Sequence, residues 1–79
     1  MPRIRRGMLV KNLLEHSIEI KLSARTLLLE AGEEAIVTPG EAREENLREH
    51  LQLRTLAVVR PSTAEEEAHV ARAMRQSHY

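Results

Sequence analysis

Histidine, glutamate and serine are the side chains through which this sequence could do chemistry, and their spacing decides how much. Zinc requires three or four ligands that converge. His16, His50, His69 and His78 are widely spaced, none forms an H-x-x-x-H pair, and the chain has no cysteine. Glu65 and His69 stand at i and i+4, but Glu66 and Glu67 beside them make this the solvated face of a helix, and His50 next to Glu49 reads the same way. Ser17, Ser23, Ser62 and Ser77 fall at turns, at a helix start or near the end of the chain, and none lies in a G-x-S-x-G elbow. Paired carboxylates could serve as general acid and base, yet Glu33-Glu34, Glu44-Glu45 and Glu65-Glu66-Glu67 come as runs without the apolar walls that raise a carboxyl pKa. Gly7, Gly32 and Gly40 are too scattered to form a phosphate-cradling loop. The expectation is a non-enzymatic protein with no metal, cofactor or small-molecule substrate.

Composition narrows the partners. A chain of 79 residues is one domain, near the size at which a single core gives only ~3–5 kcal/mol of net stability. Without cysteine it has no disulfide to help, so self-association or docking on a larger assembly is expected, and a homo-oligomer with it. The core must come from eleven leucines with Ile, Val, Ala and Met, because there is no Phe or Trp and the one tyrosine is Tyr79. Aromatic stacking on bases is thus absent, which argues against a single-stranded nucleic acid ligand. Twelve basic and twelve acidic residues cancel, leaving no net field to steer the protein to a polyanion. All twelve acids are glutamate and ten of the twelve bases are arginine, a bias that suits a thermophilic or a GC-rich source. No apolar run is long enough to span a membrane. MPRIRRG at the start lacks the apolar stretch of a signal peptide, so a cytoplasmic protein is expected.

Those residues sit on a readable series of elements. Residues 1–7 form a basic arm in which Arg3, Arg5 and Arg6 surround Ile4, either a solvated tail or a segment that orders against a neighbour. Residues 8–60 form a small β-rich domain, and residues 61–79 a helical tail. MLVKNLL, 8–14, is mostly apolar and reads as a strand. In SIEIKLS, Ile18, Ile20 and Leu22 share one face and Glu19, Lys21 and Ser23 the other, a clean strand alternation. TLLLE follows, with Leu27 and Leu29 facing in and Leu28 facing out as a candidate contact residue. Gly32 allows the positive φ of a tight reversal into EAIVT, which predicts two linked antiparallel hairpins. Thr38-Pro39-Gly40-Glu41 is a capping box with Pro at the first helical position, and Asn46 to Glu49 is a second box. Two start signals so close predict a helical turn followed by a separate short helix. TLAVVR, 55–60, is a further strand stopped by Pro61. The last helix is capped from Ser62 with Glu65 or from Thr63 with Glu66. Its small apolar face, Ala64, Ala68, Val70, Ala71 and Met74, must pack on its own domain or on a partner, which makes Val70 and Met74 contact candidates.

The succession Asn12, Ile18, Ile20, Leu22, Leu27, Leu29, Gly32, Glu33, Val37, Asn46, Leu47, Leu51, Leu56, Val58, Val59 resembles small β-rich accessory structural proteins of tailed bacteriophage virions. The resemblance covers residues 8–60. The chain departs from it with Ala31-Gly32 in place of Pro-Gly, and with His50-Leu51-Gln52 where a glycine often follows the helix. It implies a capsid-decorating or head-tail accessory protein, assembled in a host cytoplasm into a virion, with other virion or assembly subunits as partners. The fold expected from both lines is α+β: a small antiparallel sheet or partly open barrel, one or two short helices before the last strand, and a C-terminal helix. A different reading is a nucleic-acid-binding or regulatory β module that meets phosphates through Arg3, Arg5 and Arg6 of the arm, with Arg25.

Overall fold

The computed structural model describes residues 7–76, with side chains through Met74. Five strands and three helices follow in the order β1 (Met8–Asn12), β2 (Ile18–Lys21), β3 (Thr26–Leu29), β4 (Glu34–Val37), α1 (Pro39–Ala42), α2 (Glu45–Gln52), β5 (Leu56–Pro61) and α3 (Ala64–Gln76). The strands form two antiparallel sheets, one ordered β4-β1-β5 and one made of β2 and β3, and no barrel closes. This is a small α+β fold with two short helices before the last strand and a C-terminal helix.

The core lies between the sheets. Ile18, Ile20, Leu22, Leu27 and Leu29 project from the β2–β3 side, Val10, Val37 and Leu56 from the other, and Leu47 of α2 closes the cluster. The alternation read from residues 18–22 is therefore the buried face of β2: Ile20 is 1% exposed while Glu19 and Lys21 face solvent.

Four local expectations need correction. The strand read over 8–14 ends at Asn12, because the Asn12 carboxamide oxygen accepts the Leu14 N–H at 2.9 Å and turns the chain. Gly32 does take a positive φ of 75° in a turn closed by Glu33 N–H to Glu30 C=O at 2.9 Å. That turn does not make a second hairpin, however: β4 leaves β3 and pairs with β1, in the register Leu9 to Ile36. Asn46 does not cap α2, whose N-cap is Glu44; the Asn46 side chain donates instead to the Lys21 C=O at 2.7 Å. Finally, β5 does not stop before Pro61 but includes it opposite Met8, on an edge where a missing N–H breaks no ladder bond.

Local signals elsewhere hold. Thr38 and Glu41 form the reciprocal capping box of α1, with Pro39 at its start. At α3 it is the Thr63–Glu66 box that forms, at 3.2 and 2.9 Å. Ser62 lies one residue outside the helix, 1% exposed, and its hydroxyl bonds the Glu67 carboxylate. That carboxylate also accepts the N–H of buried Gly7 at 2.9 Å, and the Ser62 N–H reaches the Gly7 C=O at 3.0 Å. Helix α3 packs in cis along β4. Its half-covered stripe is Glu67, Val70, Ala71 and Met74, at helical spacing, whereas Ala64 and Ala68 of the expected face are exposed.

Helix α2 ends in a Schellman motif, with Thr55 N–H to His50 C=O at 3.1 Å and Arg54 N–H to Leu51 C=O at 3.3 Å. Arg54 occupies the left-handed position at φ 62°, where glycine is the usual residue.

Candidate interaction surface

Two polar clusters hold the frame that displays the surface. Asn12, fully buried, shares its two amide hydrogens among the carbonyl oxygens of His16 at 2.9 Å and of Leu29 and Glu30 at 3.1 Å each. It joins the end of β1 to the end of β3 and so ties one sheet to the other. Arg25, in the turn between β2 and β3, donates Nε and Nη2 to the two carboxylate oxygens of Glu41 at 2.8 and 2.9 Å, and Nη2 also reaches the Ile36 C=O at 2.7 Å. Burial pushes the Glu41 carboxyl up, but the hydrogen bonds from Arg25 and Thr38 and the charge of Arg25 outweigh it, so its pKa falls below the ordinary 4.5. Arg25 is therefore a structural cation on the β4 edge, and its sequence-based role as a phosphate contact is not supported by this geometry.

Two of the histidines make contacts within their own segments. His50 Nδ1 meets the Thr55 hydroxyl at 2.7 Å within the α2–β5 junction, and His16 Nδ1 lies 3.0 Å from the Ser17 C=O. Among the described residues, no group of three or more His and Glu side chains could hold a metal ion. Among the described residues, no helix is long and apolar enough to cross a membrane. Two shallow depressions, of about 400 and 250 Å³, flank α2. The larger is lined by Arg43, Glu45, Arg48, Glu49 and Gln52, charges of mixed sign with no apolar floor.

Outside this frame stand five large exposed apolar side chains, Leu13, Leu28, Leu53, Val58 and Val59. Leu28 is 60% exposed on the outer face of β3, as its place in the alternation predicts, with Glu19 opposite it on β2. It stands singly, and single exposed leucines are ordinary. Val70 and Met74, also contact candidates, are half-covered in the stripe of α3. Arg3, Arg5 and Arg6 lie outside the described residues.

The larger apolar surface follows β5, and sequence reasoning did not single it out. Val58 is 52% and Val59 47% exposed, and at the start of the same strand stand Leu53 at 65% and Leu13 at 50%, the latter bonded through its N–H to the Thr55 C=O at 2.9 Å. Val58 keeps its register opposite Val10 but lies on the outer strand of the sheet, and at the next step the ladder slips, so that Leu9 faces Arg60 and Val59 is left as the extra residue of a bulge. Strand β5 is also an edge of its sheet. The sequence signal available was the uninterrupted run Leu56-Ala57-Val58-Val59, which by itself also describes a central strand buried on both faces.

No protein-family model matches the chain, and neither a curated protein nor a solved structure is similar to it.

Proposed function

We propose that this chain is a non-enzymatic structural and interaction protein, a capsid-decorating or head-tail accessory component of a tailed phage virion. One observation carries the interaction role: a neutral, apolar strand edge, Leu56 to Val59, is held open beside Leu13 and Leu53 on a fold braced by buried polar contacts. A stable display of apolar backbone edge and side chains suits packing against other subunits. The virion setting rests on the resemblance over residues 8–60, and in that setting the protein is built in the host cytoplasm and carried in the particle.

The test is co-sedimentation of the purified chain with phage heads and tails assembled without it, across a salt series. Retention that persists at high salt is the expected result, because apolar packing is little screened. Binding to duplex DNA that fades steeply with salt, with no retention on particles, would favour instead a phosphate-binding module working through Arg3, Arg5 and Arg6.

A further inference from the structure

We infer that the free edge of β5 pairs with β5 of a second copy of this chain, antiparallel about a two-fold axis at Ala57, to make one six-stranded sheet across a homodimer. This names a partner for the surface just proposed as an interaction edge and rests on that reading.

Backbone direction is the first argument. Thr55 and Ser62 both turn a backbone group to β1, through Leu13 N–H to Thr55 C=O at 2.9 Å and Ser62 N–H to Gly7 C=O at 3.0 Å. Alternate residues of an antiparallel strand face the same neighbour. Ala57 therefore faces β1 with Thr55, and Leu56 and Val58 point their N–H and C=O groups away from the sheet. In the two-fold register Leu56 stands opposite Val58 of the second copy, and each of these two residues exchanges both backbone bonds with its counterpart. Pro61 closes the pairing at the far end. It has no N–H, and its C=O accepts the Arg60 guanidinium at 3.1 Å.

Charge is the second argument. Between Leu56 and Val59 the strand carries no charge, and the nearest cation on it, Arg60, is held in its own chain by Glu66 through two bonds of 2.6 and 2.8 Å. Across Leu56 to Val59 two copies of this edge meet without like-charge repulsion, and just beyond it, where the register sets Arg54 opposite Arg60 of the second copy, the Arg60 charge is offset by Glu66.

Closure is the third. On the opposite edge of the same sheet, β4, the Ile36 C=O is already taken by Arg25, and α3 is in contact with the strand. Among the described residues the three-stranded sheet thus offers one open edge, so self-pairing stops at two copies instead of growing into a filament.

Sedimentation velocity on the full chain tests this, from ~5 µM to ~1 mM because an edge contact is small beside standard interfaces. The expected result is a monomer–dimer equilibrium that Val58→Pro and Val58→Lys each weaken at least ~10-fold, about 1.4 kcal/mol, while Leu28→Lys leaves it unchanged. Val58→Pro removes a donor that points away from β1, so far-UV circular dichroism should stay that of the parent. As a second reading independent of any variant, the Leu56 and Val58 amides should gain hydrogen-exchange protection with rising protein concentration. A chain that stays monomeric to the top of the range, or amides at Leu56 and Val58 that exchange equally fast at all concentrations, overturns the dimer. Particle binding by such a monomer would leave the interaction role standing, so the two failures are distinguishable.

Discussion

Arg25 and Glu41, sixteen positions apart, form a two-pronged ion pair of 2.8 and 2.9 Å in which the carboxylate is 4% and the guanidinium side chain 26% exposed. The pair links the turn after β2 to the first turn of α1, and the same guanidinium reaches the C=O of Ile36 on β4. Removing the cation leaves a buried carboxylate held by the Thr38 N–H at 3.0 Å.

Arg25→Ala should therefore cost roughly 3 kcal/mol at neutral pH, the scale for breaking a buried pair. The Glu41 pKa is depressed in the folded chain, so its stabilisation is fully present above the ordinary 4.5 and is lost as pH falls through the folded value. Urea midpoints of parent and variant should accordingly converge as pH drops below 4.5. A gap that stays constant from neutral to acid would show that the pair contributes through packing alone.

Asn12→Ala should destabilise by about 2–4 kcal/mol, because it strands three carbonyl oxygens and the Leu14 N–H in a buried site. Asn12→Asp keeps the shape but sets a carboxylate against those carbonyls, so its pKa should rise on folding. Stability lost by Asn12→Asp at neutral pH should then partly return on acidification, as the neutral acid can donate. Equal chemical-denaturation midpoints for Asn12→Asp and the parent at neutral pH would remove Asn12 as the tie between the sheets.

Gly7 is where β1, β4 and the start of α3 converge, and a Cβ there would lie 2.0 Å from the Val37 backbone oxygen and 2.9 Å from the Ser62 hydroxyl. Backbone cannot yield as a side-chain tip can. Gly7→Ala should cost at least ~3 kcal/mol through overpacking, read as a fall in thermal midpoint with loss of α3 helicity. A variant that melts with the parent would mean the chain enters β1 by a different path.

Arg54→Gly should stabilise the fold by up to ~1 kcal/mol, since an L side chain at φ 62° is strained and glycine is not. The gain is net of the extra freedom glycine has when unfolded. A lower urea midpoint would show that the Arg54 side chain makes contacts worth more than the strain.

Where partners lay within a few residues, the amino-acid sequence determined most of the outcome, with the exception of Asn46, which leaves its local box with Glu49 for the Lys21 C=O. Ile18, Ile20 and Leu22 alternate with Glu19 and Lys21, and a half-buried strand is the one regular structure that puts each set on its own side. Thr38 with Glu41 and Thr63 with Glu66 start helices because each pair can satisfy the same exposed N–H groups reciprocally at three-residue spacing. Gly32 takes the positive φ that its missing Cβ makes inexpensive. Leu28 was legible as an outward residue for the same local reason.

Tertiary structure decided whatever depended on which distant groups meet. The turn at Gly32 suits a hairpin, yet β4 joins β1, where Val37 and Val10 enter the shared core and Leu9 meets Ile36 across the ladder. Asn12 has the side chain of a surface turn residue and becomes a buried tie only because β3 ends beside it. Glu41 reads as a cap, and its second role, holding Arg25, needs the turn after β2 brought against α1. The open edge of β5 is the same kind of result. Leu56 to Val59 fits a central strand as well as an edge one, and the strand order β4-β1-β5 settles it by pairing no further strand with β5 among the described residues. Sequence periodicity states which face of a strand is apolar, but hydrogen-bonding edges carry no side-chain signature, so their exposure follows from packing alone.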